Sequence, residues 1–167
     1  MSDLPEVLVA ALEEFEGRVT AVEDLRSEPA FRAEREAARD FIVWLKEQPG
    51  LGFSFLYLLT ALDNYPDEPR FEVVYGVRSL ELNLDLRLNV PLRGDDAVLP
   101  SVSDHFHAAL WMEREVYDMF GVRFEGHPEL TRILMWEGFE GHPLRKDYPL
   151  LGNTLGTAGY VGKGGKR

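Results

Sequence analysis

The sequence predicts an α+β domain, an antiparallel or mixed sheet packed with helices and followed by an irregular C-terminal loop region, on three patterns. Leu80, Leu82, Leu84, Leu86, Leu88 and Val90 alternate with Glu81, Asn83, Asp85, Arg87 and Asn89. Successive strand side chains point to opposite faces, so this is a strand with one wet face, as in an antiparallel sheet solvated on one side. Phe31, Ala38, Phe41, Ile42 and Leu45 recur at three- and four-residue spacings, the mark of an amphipathic helix. Beyond Gly121 neither period persists, and glycine and proline punctuate the chain.

Taken in order, residues 1 to about 48 read as helical, with Pro29 as an interruption and Gln48-Pro49-Gly50 as the stop. Twelve of the chain's 29 acidic residues lie here against six basic ones, so the outer face of this segment reads as a solvated acidic surface, the lesser alternative being a face that docks something basic. "GFSFLYLLTAL", residues 52–62, fits a buried strand or a helix end, and its aromatic part favours strand. "DNYPDEP", residues 63–69, is turn chemistry. Residues 70–79 and 80–90 are strands, and 91–100, which contains "RGDD", is a loop. Ser101 or Ser103 as N-cap and Gly121 as C-terminal glycine bound a helix over 103–120. The organisation is therefore a helical segment 1–50, a core domain 51–151, and a glycine-rich positive tail 152–167 that is mobile or orders only against a partner.

Composition excludes several functions. A net charge of -11 leaves no basic field to hold nucleic-acid phosphates or anionic lipid. With no cysteine the chain has no thiol nucleophile, no Cys-ligated zinc and no iron–sulfur cluster on its own thiolates, so any redox centre must be borrowed. The sequence shows neither an apolar run long enough to span a bilayer nor a secretion signal, which predicts a cytosolic chain.

At about 100° per residue, Phe106, Ala109, Leu110, Val116, Tyr117 and Phe120 share one face of the 103–120 helix, and Glu113 falls among them. An ionised carboxylate in an apolar contact is costly without a partner. One reading is a proton-handling acid with a raised pKa; the favoured one is a structural ion pair with Arg145, or with Lys146 as second choice. Trp111, Arg114, Glu115 and Asp118 occupy the opposite face, where Arg114 and Asp118 are spaced for a surface i,i+4 pair. Trp111 beside Arg114 is either a docking anchor or a residue capped by the N-terminal helices.

"FEGHP" occurs at residues 124–128 and again at 139–143. A metal site built on His127 and His142 is disfavoured, because fifteen residues separate them and each precedes a proline. A tandem repeat is excluded, since "ELTRILM" after one copy does not match "LRKDYPL" after the other. What remains is a rigid Glu-Gly-His-Pro turn used twice. Pro143 and Pro149 bracket Arg145, Lys146, Asp147 and Tyr148 in one shape; a Lys–Asp–His acid/base set there lacks a nucleophile.

The blocks "EREVYDMFGVRFEGHP" and "GHPLRKDYPL" resemble the two signatures of the 30-kDa subunit of respiratory complex I, the C-type subunit of bacterial NADH–quinone oxidoreductase, and the likeness covers residues 51–151. The resemblance implies an α+β domain in the peripheral arm, docked on the 49-kDa-type subunit and other peripheral-arm subunits. Cofactors are implied for the partners only, FMN and iron–sulfur clusters, with no catalytic, cofactor or metal residue in this chain. The motif residues carried over for assembly and docking are Glu113, Arg114, Glu115, Tyr117, Asp118, Gly121, His127, His142, Arg145, Lys146 and Asp147, beside Trp111. Thr131 departs from the family's more usual arginine. The implied function is a non-catalytic subunit of a proton-translocating NADH:quinone oxidoreductase, peripheral on the cytoplasmic side of the inner membrane. Two alternatives stand beside it: the equivalent subunit of a membrane-bound hydrogenase or other-donor dehydrogenase, and a metallo-hydrolase using His127 and His142.

Overall fold

The alternation predicted for residues 80–90 is realised in the central strand of a five-stranded sheet. In the computed structural model, which describes residues 6–22 and 29–149, the elements are α1 (Glu6–Glu14), β1 (Val19–Val22), β2 (Ala30–Ala33), α2 (Arg35–Glu47), β3 (Phe55–Asp63), β4 (Phe71–Ser79), β5 (Leu84–Leu92), β6 (Val98–Pro100), α3 (Ala109–Phe120) and β7 (Arg123–Glu125). The sheet runs β1-β2-β5-β4-β3, and only β2 and β5 are parallel, so it is mixed as expected. A separate parallel pair joins β6 to β7.

Register puts like with like. Val73, Tyr75 and Val77 of β4 stand opposite Val90, Leu88 and Leu86 of β5, and opposite Ala61, Leu59 and Leu56 of β3. All are buried, and one apolar cluster unites them with Phe41, Ile42 and Leu45 of α2 and with Val116, Met119 and Phe120 of α3. The reverse face carries charge in pairs, Arg32 with Glu72 at 3.0 Å and Arg78 with Asp85 at 3.5 Å. Such exposed pairs add little stability.

Several boundaries differ from the sequence reading. Residues 1–48 are not continuously helical: β1 and β2 pair there, and β2 joins β5, so the main sheet takes strands from both sides of residue 50. Strands of four residues leave too short a pattern to read, and a distant partner decides their fate. Pro29 is not a helix interruption; it opens β2, where its carbonyl accepts the Arg87 N–H at 3.0 Å.

The wet-faced strand starts at Leu84, not Leu80. Asn83 at φ 48 turns the chain, the Leu82 N–H donates to Ser79 Oγ, and Leu80 is 70% exposed. At its other end β5 runs through Pro91, which the sequence reading placed in the loop. This is tolerated because β2 pairs with β5 only as far as Asn89, leaving Pro91 with no neighbour on that side.

The third helix begins at Ala109, and neither Ser101 nor Ser103 caps it; its N-cap is Ala108, with no side-chain cap bond. Both hydroxyls are engaged elsewhere, as described below. Gly121 does end the helix, in the left-handed region at φ 77. After it the chain is loop apart from β7, and the 152–167 tail lies outside the described residues.

Candidate functional site

An α-helix leaves its last four carbonyls without intrahelical donors. In α3 each finds a partner. The Gly121 N–H returns to Tyr117; His142 Nδ1–H donates to the Asp118 carbonyl at 3.0 Å, the Leu144 N–H to Met119 at 3.1 Å, and Arg145 Nε to Phe120 at 2.5 Å. Residues 142–145 therefore cap α3, and the Arg145 cation sits where the helix dipole is negative. Burial and the nearby Arg145 and Arg132 charges depress the His142 pKa, so its ring is a neutral donor at pH 7. Gly121 is required twice over: its φ is positive, and a Cβ there would strike Arg145 Nη2 and lie 2.6 Å from the His142 ring.

The other copy of the pentapeptide reaches the opposite end of the same helix. His127 Nε2–H donates to the Leu110 carbonyl at 3.1 Å while Nδ1 accepts the Glu129 N–H at 3.0 Å. Gly126 and Gly141, at φ 84 and 86, make the two turns alike. Both histidines are thus occupied by backbone. Among the described residues no group of three or more His, Cys, Asp or Glu is placed to hold a metal ion.

Between these two straps lies Asp118. Its Oδ2 accepts the N–H groups of Ile133, Leu134 and Met135 at 3.1, 2.8 and 2.9 Å, and its Oδ1 accepts Arg132 Nη1 at 2.8 Å. Burial alone would raise its pKa, but these donors outweigh it and hold the carboxyl below its ordinary 3.8. Arg132 also donates to the Gly141 carbonyl at 2.9 Å. The surface pair expected between Arg114 and Asp118 does not form, because Asp118 is buried among backbone donors. Arg114 instead grips Thr131, at 3.0 Å to the carbonyl and 2.8 Å to Oγ1. The threonine that departs from the family pattern is here an acceptor.

A second tether binds the 142–149 stretch to the sheet. Asp63, buried at the end of β3, accepts Arg70 Nε at 3.0 Å and the Lys146 N–H at 2.8 Å; Arg70 also meets Asp147 at 2.6 Å. Lys146 contributes its backbone, and its side chain is exposed. Asp63, Arg70 and Arg132 were not singled out from sequence, and Ser101 was read only as a helix N-cap. Asp63 alone left a trace, since it continues the inward parity of Leu59 and Ala61.

Glu113 lies on the apolar face as expected and is 0% exposed, but the ion pair with Arg145 or Lys146 is absent. Arg145 is spent on the Phe120 carbonyl and the face of Phe71, 5.2 Å from the ring centre. Glu113 is held by neutral donors, Ser101 Oγ–H at 2.6 Å and the Val102 N–H at 2.8 Å. Burial, only partly offset by these bonds, raises its pKa to about 7.

Large apolar side chains remain outside among exposed charged residues. Trp111 is 63% exposed and uncapped by the N-terminal helices, and Leu134, Trp136 and Leu144 are 55%, 46% and 55% exposed. Arg114 lies over Trp111, and Arg132 over Phe139, which Trp136 meets edge-on at 4.8 Å and Tyr148 stacks upon at 5.9 Å. Glu115 projects to solvent on the same helix, and Tyr117 packs edgewise on His142.

In this small α+β domain the distinctive charged residues fix one loop surface, and comparison with known proteins supplies its family. Residues 31–154 match the family model described as respiratory-chain NADH dehydrogenase, 30 Kd subunit, and the chain belongs to that family. It is 44% identical over 160 residues to the C 2 subunit of the NADH-quinone oxidoreductase of Rhizobium meliloti, covering 93% of this chain and 87% of the relative. It is also 44% identical over 129 residues to part of the fused C/D subunit of the Aeromonas hydrophila oxidoreductase, covering 72% of this chain and 21% of that one. Among solved structures, the Nqo5 trypsin-resistant fragment matches at a TM-score of 0.64 and 32% identity, over 75% of this chain and 97% of the fragment. A chain of an archaeal membrane-bound sulfane sulfur reductase complex matches at 0.68 and 27%, over 97% of this chain and 94% of that one.

Proposed function

We propose that this chain is a non-catalytic core subunit of the peripheral arm of a proton-translocating NADH:quinone oxidoreductase, and that it docks the 49-kDa-type subunit through the outer side of α3 and the loops strapped to it. Electrons pass from NADH through FMN and iron–sulfur centres to quinone in the neighbours, and this chain holds geometry without a cofactor or metal of its own. The observation that carries the reading is the pairing of exposed Trp111, Leu134, Trp136 and Leu144 with a backbone already fixed by Asp118, His127, His142 and Arg145. Large aromatic and arginine groups concentrate interface energy, and a surface ordered before binding loses less entropy on docking. The fusion of the C and D polypeptides in a relative supports a D-type, 49-kDa-class partner. On this reading the chain reaches the membrane through the complex, on the cytoplasmic side of the inner membrane; among the described residues no helix is long and apolar enough to cross a membrane.

Affinity capture from native membranes tests this. The tagged chain brings down a D-type subunit, and the Trp111→Ala/Trp136→Ala double variant, folded by its melting curve, captures at least tenfold less. Equal capture refutes the assigned face. Likeness to the sulfane sulfur reductase chain favours a second reading, the equivalent subunit of a respiratory complex with another electron donor. The electron-input subunit that co-purifies decides between them.

A further inference from the structure

The docking reading leaves Glu113 unused. It is a fully buried carboxyl with no cationic partner among the groups that hold it. Its surroundings are unusual in suiting either protonation state. Ser101 Oγ lies 2.6 Å from Glu113 Oε2 and 2.7 Å from Ser103 Oγ, and it accepts the Ser103 N–H at 3.1 Å. A hydroxyl offers one donor and two acceptor positions. With Glu113 ionised, Ser103 Oγ–H donates to Ser101, and Ser101 Oγ–H donates to the carboxylate. With Glu113 protonated, its own O–H donates to Ser101, and Ser101 turns to donate to Ser103. In both states Ser101 gives one bond and accepts two, Glu113 Oε1 keeps the Val102 N–H at 2.8 Å, and no heavy atom moves.

Among the described residues the charged and titratable groups facing this row are few. From β4 comes Tyr75, fully buried, whose own ionisation is pushed far up by burial and by Glu113. From the 101–108 loop comes Asp104, whose negative charge adds to the upward pressure on Glu113. From α2 comes Arg39, which donates to the Ser101 carbonyl at 3.1 Å and to Asp104 Oδ2 at 2.5 Å. Lys46 binds the His105 carbonyl further along that loop. Ser103, 8% exposed, is the outer member of the row, and the next residue, Asp104, is exposed and held by Arg39.

We propose that Glu113, Ser101 and Ser103 form an internal proton-binding site, in which the two hydroxyls exchange the Glu113 proton with solvent while the fold stays closed. In release, the Glu113 proton passes to Ser101 Oγ, the Ser101 proton to Ser103 Oγ, and the Ser103 proton to water. One proton leaves, and each serine ends with the proton count it began with. The site stands independently of the docking reading, since all three groups lie on the inner side of α3 and the loop before it.

Carbon-13 NMR of the side-chain carboxyls in the full-length protein tests it, with Glu113→Gln used to assign the resonance. The Glu113 carboxyl titrates near neutrality, far above the other glutamates, while backbone amide spectra show one folded state throughout. Ser101→Ala removes a donor to the ionised form and moves the midpoint upward; Ser103→Ala, which leaves that donor in place, moves it less. A Glu113 midpoint in the ordinary glutamate range overturns the proposal, as does a titration that appears only as the amide spectrum collapses. An unmoved midpoint in a folded Ser101→Ala overturns it equally, and the wild-type titration stands alone should either serine variant fail to fold.

Discussion

Removing the Asp118 carboxylate should detach the loop that presents Leu134 and Trp136 before it unfolds the domain. Four donors converge on this one side chain, three backbone N–H groups and Arg132, and the side chain is 0% exposed. In Asp118→Asn the amide oxygen keeps the three N–H groups, and the amide nitrogen faces the Arg132 guanidinium, donor against donor. A lost charge-assisted bond costs about 1.5–3 kcal/mol. Arg132 is 23% exposed and retains Gly141, so it turns toward water, which keeps the cost near 2 kcal/mol rather than the roughly 3–5 of a fully buried broken pair. In Asp118→Ala all four donors lose their acceptor, and stranding them in place would cost more than releasing the loop. The loop therefore opens, and local opening sets the cost. Hydrogen exchange reads this directly. A change of about 2 kcal/mol corresponds to roughly thirtyfold faster exchange at Ile133, Leu134 and Met135 in the asparagine variant, with more in the alanine variant, while amides of β4 and β5 keep their protection. Unchanged exchange at these three amides in Asp118→Ala would refute the assignment of Asp118 as the anchor. The anchor should also resist acid: a carboxyl held below 3.8 contributes stability that is present above that pH and lost only as pH falls through its lower folded value.

Three further outcomes follow from the geometry. Gly121→Ala combines a positive φ with a clash against Arg145 and His142, so it should destabilise by about 2–3 kcal/mol in urea denaturation and abolish capture of the D-type subunit. Trp111→Ala should leave the melting temperature within about 2 °C of wild type while weakening capture; a large loss of stability would show that Trp111 supports the core. Glu113 gives a pH profile of opposite sign to Asp118. Its folded pKa lies above its ordinary 4.5, so the wild type should lose up to about 3 kcal/mol of stability as pH rises from below 4.5 to about 7, and remain level above that; Glu113→Gln should flatten this slope. A Gln variant with the wild-type profile would place the titration elsewhere.

Patterns with a repeating period were legible, and single long-range partners were not. The β5 alternation and the α2 and α3 periodicities expose their faces in the sequence itself, because each face makes the same kind of contact many times over. Strands β1 and β2 escaped, since four residues hold only two inward positions and β2 depends on β5 more than fifty residues away. At the site, helix phase correctly buried Glu113 and exposed Trp111, and failed for Asp118. That side chain lies on the polar side of the amphipathic wheel, and only the later arrival of residues 132–135 covers it. The partner assigned to Glu113 failed for a related reason. Charge balance suggests a cation, whereas two hydroxyls and a backbone N–H are invisible to charge counting, and Arg145 was already claimed by a helix carbonyl.

The two signature blocks, read apart, look like a helix and a basic loop; in space they complete one another. The "EREVYDMFG" helix leaves carbonyls that its own backbone cannot satisfy, and the "GHPLR" stretch carries the donors that satisfy them. Residues 131–135, between the two blocks, are held in turn by Asp118 and Arg114 of the helix, and Asp63 of the sheet accepts the Lys146 N–H of the second block. Either element alone would leave polar groups unpaired, at about 1–3 kcal/mol for each one buried, so each stabilises the other. This mutual dependence is what lets a stretch of nearly thirty residues after Gly121 hold a defined surface with only one short strand in it. A partner meeting Trp111, Leu134, Trp136 and Leu144 then meets side chains whose backbone is already fixed, and the free energy of their burial goes into docking rather than into ordering the loop.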